Sequence, residues 1–198
     1  RNSSELATFF LSCLYLGVVA VPIDSRLGSD EKYQLIKRSC CRVILSDETD
    51  LDYYRQEDCG IRRIDLRDCW TGAGSRNVRV MKDDLLGLLG VFENADSSMP
   101  YLVTFTSGTT SKPKGVCHSA RSLFLAASVM NERIAVSAES VFYHCFSMSY
   151  MAGILNLIIC PLMAGARIVL DDPFDFRTGI RFWSVVEAWI NIQHKKPL

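Results

Sequence analysis

Thr106-Ser107-Gly108-Thr109-Thr110-Ser111-Lys112-Pro113-Lys114-Gly115 crowds hydroxyls, two glycines and two lysines into ten residues, directly behind the apolar run Tyr101-Leu102-Val103-Thr104-Phe105. Glycine lets a backbone turn its N–H groups toward one point and approach an anion closely, while hydroxyls and an ammonium add donors and charge around a polyphosphate. The competing reading is a solvated Ser/Thr/Gly linker. Against it, the stretch follows a strand-like run without a break and leads into Gly115-Val116-Cys117-His118, which opens a second apolar stretch. A Walker loop needs Gly-Lys followed by Ser or Thr. Here Lys114 precedes Gly115, which excludes it. The apolar runs abutting both ends predict that 106–115 joins two neighbouring strands, 101–105 and 115–118.

The ten residues resemble the signature loop of the adenylate-forming superfamily, which includes acyl- and aryl-CoA synthetases, luciferases and the adenylation domains of peptide synthetases. The family form is Thr-Ser-Gly-Thr-Thr-Gly-x-Pro-Lys-Gly, and Ser111 is the one departure, standing where the family has its third glycine. A second resemblance lies about eighty residues upstream. Asn2-Ser3-Ser4-Glu5 through Leu16-Gly17-Val18-Val19-Ala20-Val21-Pro22-Ile23-Asp24 is similar to a segment of the superfamily in which a helix ends at Leu-x-Gly and a strand ends at Pro-x-Asp.

Composition fits a soluble globular protein. The chain has 198 residues, 48% of them hydrophobic, and a formal net charge of +0, which gives no electrostatic case for nucleic acid. Eight cysteines show neither a Cys-x-x-Cys pair nor a zinc-type histidine spacing, so no metal site is expected. Free thiols in a reducing compartment, and hence a cytoplasmic location, are the expectation. Two uncharged stretches, 6–23 and 141–166, invite comparison with membrane spans. Gly17 and Pro22 interrupt the first, and His144, Asn156 and Pro161 mark the second, so both read as helix-plus-strand segments of a core and no membrane insertion is expected.

Ser3-Ser4-Glu5 opens a helix that Gly17 ends, 18–24 reads as a buried strand, Ser29-Asp30-Glu31 opens a second helix, and 42–46 is a further strand. This order predicts an α/β fold with mostly parallel, helix-covered sheets. Later elements are a short strand at 61–66, a helix at 82–89, helices at 121–130, 151–162 and 182–190, and strands at 141–146 and 164–170. There are no internal repeats or low-complexity tracts.

The resemblance implies a two-step chemistry. A carboxylic acid is joined to the α-phosphate of ATP, and the acyl group then passes to a thiol of CoA or of a carrier protein's phosphopantetheine, with Mg2+ on the nucleotide. By the same resemblance Thr106, Ser107, Gly108, Thr109, Thr110 and Lys114 hold the β- and γ-phosphates, with Ser111, Lys112 and Gly115 as further members of the nucleotide site. Phe146-Ser147-Met148-Ser149-Tyr150-Met151-Ala152-Gly153 resembles the family segment that borders the acid, and Tyr150, Met151 and Gly153 are its candidate substrate residues, with a core aromatic as the competing reading of Tyr150. His118 follows the loop and is weighed as a site residue against a structural histidine on an apolar strand; His144 is read as structural. No catalytic residue is assigned.

Residues 1–198 are expected to form an incomplete N-terminal AMP-binding domain, with a first half 1–95 and a second half 96–198 carrying the loop. The family's downstream Tyr-Gly-x-Thr-Glu segment, its ribose-binding aspartate and its C-terminal domain with the adenylation lysine are absent from these residues, so the isolated chain is expected to be inactive. Two alternatives stay open at this point: an adenylation domain of a peptide-synthetase system, and a non-enzymatic nucleotide-binding or interaction protein that keeps only the loop.

Overall fold

The computed structural model describes residues 2–46, 60–65, 98–106 and 113–171, together with Trp183, Ser184 and Glu187. The chain divides into two compact units, Leu11–Ser122 and Arg1–Phe10 with Leu123–Leu198.

Helix α1 spans Ser4–Leu16. Ser3 caps it, its Oγ accepting the N–H of Leu6 at 3.1 Å, and Glu5 lies in the first turn, where the helix dipole favours an anion. Gly17, at φ +64°, ends it, and the Val18 N–H closes on the Cys13 carbonyl at 2.8 Å in a Schellman turn.

The strand expected over 18–24 reduces to one bridge. Ala20 donates to the Tyr101 carbonyl at 2.8 Å and accepts from the Val103 N–H at 2.9 Å, pairing parallel with Leu102, while Val18 and Val19 are exposed. A parallel ladder uses every second residue. The Val18 N–H is already spent on the end of α1, and Pro22 has no N–H to give, so only Ala20 can pair.

Helix α2, Ser29–Ser39, begins with the Glu31 carboxylate accepting the Gly28 N–H at 3.2 Å; glycine has no side chain to return the bond. Leu35 and Ile36 are its buried residues. Strands β1 (Val43–Ser46) and β2 (Arg62–Asp65) pair in parallel, Val43 against Arg62.

Strands β3 (Pro100–Thr106) and β4 (Lys114–Ser119) form an antiparallel pair, as the abutting apolar runs require, with Leu102 opposite His118 and Thr106 opposite Lys114. Thr106, Lys114 and Gly115 therefore belong to the strands and not to the connection.

Helix α3, Ala120–Arg133, starts at Ser119, whose Oγ accepts the Ser122 N–H at 3.1 Å. In the second unit β5 (Val141–His144) and β6 (Arg167–Leu170) pair in parallel. The helix expected between them is not a regular α-helix. Ala152–Ile159 is wound as a π-helix, with the Cys160 N–H reaching back five residues to Leu155, and only Cys160–Met163 (α4) is α-helical. Pro161 lacks an N–H, and in an α-helix its ring would press on the Leu157 carbonyl; a wider turn ahead of it relieves both. Asn131 of α3 donates to the Cys160 carbonyl at 2.7 Å, anchoring the transition. Both parallel pairs and the helices between strands fit the expected α/β class. The helix expected at 82–89 lies outside the described residues, as does most of 182–190, where Trp183, Ser184 and Glu187 are helical.

Helix α3 ends on Ala135 at φ 51°, with the Val136 N–H on the Asn131 carbonyl at 2.9 Å, a position that usually takes glycine. Left-handed backbone costs alanine about 1–2 kcal/mol, of which glycine's extra unfolded-state entropy returns part. Ala135→Gly is expected to stabilise the protein by about 0.5–1 kcal/mol, read as a raised midpoint of thermal unfolding; a lowered midpoint would contradict the cap geometry.

Candidate functional site

In a strand pair, alternate residues share a face. The register therefore puts Leu102, Thr104 and Thr106 of β3 on one face with Lys114, Val116 and His118 of β4, and puts Val103, Phe105, Gly115 and Cys117 on the other. A Cβ built at Gly115 would lie 3.3 Å from Val103 and 3.4 Å from Phe105, tight contacts that favour glycine there. Thr106 and Lys114 face each other across the last rung and are exposed, the Thr106 Oγ1 standing 3.4 Å from the Lys114 carbonyl. Ser107, Gly108, Thr109, Thr110, Ser111 and Lys112 lie outside the described residues.

Further along the same face, His118 Nε2 and the Thr104 hydroxyl are hydrogen-bonded at 2.9 Å, and burial holds the His118 imidazole below its ordinary pKa. A histidine paired to a strand threonine is a rivet of the hairpin. β3 is held on both edges, by β4 and by Ala20, and Tyr101 and Leu102 are buried at 4% and 0% exposure, so the hairpin is anchored at the end away from Thr106.

The second group of candidates lies at the start of the π-helix. Tyr150 is exposed, Met151 half-buried and Gly153 buried. A turn leads into them, the Tyr150 N–H donating to the Ser147 carbonyl at 3.1 Å and the Ser147 and Ser149 hydroxyls standing 2.6 Å apart. Gly153 packs so closely on this turn that an added Cβ would lie 2.2 Å from the Ser147 carbonyl oxygen. Backbone cannot yield at that distance. Gly153→Ala is expected to destabilise the protein by about 1–3 kcal/mol, the usual cost of overpacking, measured by denaturant titration; an unchanged midpoint would contradict the packing.

His144, fully buried, closes the turn from beneath. Its Nε2 lies 2.9 Å from the Gly153 carbonyl and its Nδ1 3.3 Å from Asn2 Nδ2. A carbonyl only accepts and an amide nitrogen only donates, so the ring is neutral, with the proton on Nε2. Burial accordingly lowers its pKa, opposed in part by the bond to Gly153. Asn2 also donates to the Phe146 carbonyl at 2.8 Å and the Asp171 carbonyl at 2.9 Å, and accepts the Met148 N–H at 3.1 Å. The neighbouring Tyr143 hydroxyl donates to the Asp171 carboxylate. Asn2 is the residue that sequence reading passed over; the signal available was a histidine inside an uncharged run, whose second nitrogen must find a partner.

Among the described residues no cluster of three or more His, Cys, Asp or Glu side chains is placed to hold a metal ion, and no helix is long and apolar enough to cross a membrane. Burial pushes the Cys13 thiol up to about 11.

A pinned hairpin joined by the signature stretch within an α/β chain defines a class, and residues 1–190 match the family model described as AMP-binding enzyme. The chain belongs to that family. Its sequence is 35% identical over 186 residues to a malonate–CoA ligase of Arabidopsis thaliana, covering 92% of this chain and 30% of that protein. It is 29% identical to the long-chain-fatty-acid–CoA ligase FadD13 of Mycobacterium tuberculosis, covering 93% of this chain and 35% of the relative. The fold matches MatB from Rhodopseudomonas palustris with a TM-score of 0.72 at 17% identity, over 88% of this chain and 34% of that one. The chain thus spans about a third of the length of the curated relatives it matches.

Because the His144 pKa is lower in the folded than in the unfolded state, the unfolded chain takes up more protons, and folding stability falls as pH falls. The contribution is complete above the ordinary value of 6.5 and is lost as pH drops through the folded-state value. His118 acts in the same direction. Thermal midpoints of the wild type are expected to decline from pH 8 to pH 5 more steeply than those of His144→Gln; parallel profiles would contradict a neutral buried imidazole.

Proposed function

We propose that the chain carries the nucleotide-binding loop and part of the acid-binding surface of an ATP-dependent acid–thiol ligase. The carboxylate oxygen attacks the α-phosphate of ATP, the bond to the β-phosphate breaks, and acyl-adenylate and pyrophosphate result; the acyl group then passes to a thiol of CoA or of phosphopantetheine, with release of AMP. The observation that carries this reading is the last rung of the hairpin, which brings Thr106 and Lys114 face to face at the two ends of the signature stretch. The CoA-ligase names of the relatives, and the ATP-bound form in which the MatB fold match was solved, support it.

In this reading Thr106, Ser107, Gly108, Thr109, Thr110 and Lys114 hold the β- and γ-phosphates, with Ser111, Lys112 and Gly115 as further members of the site. Negative charge accumulates on the departing pyrophosphate, and donors already fixed in place stabilise it without reorganising during the step. The Lys114 ammonium adds a full charge from a strand position, where its backbone is held by pairing. Mg2+ travels with the nucleotide. Tyr150, Met151 and Gly153 border the acid, Tyr150 through an exposed ring and Gly153 by letting the π-helix seat against the Ser147 turn. The relatives' names suggest malonate and a long-chain acid such as palmitate as the first acids to try.

Carboxylate-dependent ATP–pyrophosphate exchange tests the assignment in the complete ligase. Lys114→Ala and Thr109→Ala are each expected to lower the exchange rate on the order of a hundredfold or more, the usual cost of removing one preorganised donor to developing charge. Exchange indifferent to both substitutions would overturn the role given to the loop.

A further inference from the structure

Asn2 spends all the hydrogen-bonding capacity shown for its side chain on one short stretch of the second unit and its neighbours. Its two Nδ2 hydrogens serve the Phe146 carbonyl at 2.8 Å and the Asp171 carbonyl at 2.9 Å, with His144 Nδ1, at 3.3 Å, sharing one of them, and its Oδ1 takes the Met148 N–H at 3.1 Å. His144 continues the line, with Nε2 on the Gly153 carbonyl at 2.9 Å. The segment that carries Tyr150 is thereby fastened at Phe146, at Met148 and at Gly153, on both sides of the exposed ring. A surface turn of this length needs none of these bonds to exist. Their cost is the burial of an imidazole at 0% exposure and of a half-buried amide, a polar arrangement worth keeping only if the geometry it fixes matters.

We infer that Asn2 and His144 are positioning residues for the acid-binding segment: together they clasp residues 146–153 from below and set the orientation of Tyr150 and Met151. This rests on the ligase reading for its functional half. His144 is fully buried, and no hydrogen bond of either residue goes to Tyr150. Their effect passes through the backbone at Phe146, Met148 and Gly153. Sites built on locked supports hold their substrate contacts to within fractions of an ångström, and a support that loosens weakens the contacts it carries without removing any of them. The loss should therefore fall on the acid and spare the nucleotide, whose candidate residues lie on the β3–β4 hairpin.

Two measurements on the full-length protein test this. Amide hydrogen exchange of Asn2→Ala and His144→Leu is expected to quicken across residues 146–153, Met148 foremost, and to stay at the wild-type rate in β3 and β4; exchange that quickens equally in the hairpin, or in neither place, overturns the clasp. In steady-state assays with malonate or palmitate, whichever the wild type activates, both variants are expected to raise KM for the acid by about tenfold and to leave KM for ATP within about twofold. His144→Gln, which keeps an N–H for Gly153, is expected to recover most of that loss. Acid and ATP constants that rise together, or acid constants that do not move, overturn the positioning role. If Asn2→Ala does not fold, Asn2→Asp, of the same shape but without the donors, takes its place under the same criteria. A wild type that activates neither acid sinks the ligase reading with those acids, and the amide-exchange pattern then decides the clasp alone.

Discussion

Thr106 stands directly opposite Lys114 across an antiparallel rung, so the chain between them must leave and return over one inter-strand spacing of about 5 Å. That closure is the constraint on which the proposed nucleotide site depends. It fixes the two strand ends from which the glycine-containing stretch departs and to which it returns. A frayed last rung would leave those two ends free to move apart. The structure prevents this upstream. The Ala20 bridge on one edge of β3 and the Thr104–His118 bond across to β4 hold the register from which the last rung follows.

The acid-binding candidates depend on a different kind of constraint. Gly153 approaches the Ser147 carbonyl so closely that no side chain fits, and the carbonyl of Gly153 itself is taken by a buried histidine. Both facts are consistent with a π-helix, whose wider turn loosens the usual pairing and leaves backbone groups open to side-chain partners. Pro161 supplies the reason for the wide turn at one end and His144 a use for it at the other. Both nitrogens of the buried imidazole have partners, and burial keeps it in the neutral form.

Much of this was legible in the residues. Ser3 and Gly17 bounded α1, and the apolar runs flanking 106–115 announced the strand pair. What failed to show did so for reasons of pairing. The run 18–24 looks like a strand by hydrophobicity alone, yet strand formation needs free N–H groups at alternate positions, and Val18 and Pro22 have none to offer. Ala152–Ile159 is apolar at every position but Asn156, so it has no apolar face whose spacing could tell a π-turn from an α-turn. Asn2 was hidden because its partners lie far along the chain, and a polar residue's distant partners leave no local pattern.

That last separation has a kinetic side. Asn2 joins Asp171 across a sequence separation of 169 residues, and His144 across 142. Contacts of such long range are made late, after the loop between them has been closed at an entropic cost, and proteins rich in them fold slowly. During synthesis the amide of Asn2 emerges first and its acceptors emerge long afterwards, at on the order of ten residues per second. The bond from Asn2 to Asp171 can therefore close only once Asp171 has cleared the ribosome, and until then the amide of Asn2 has water for a partner there.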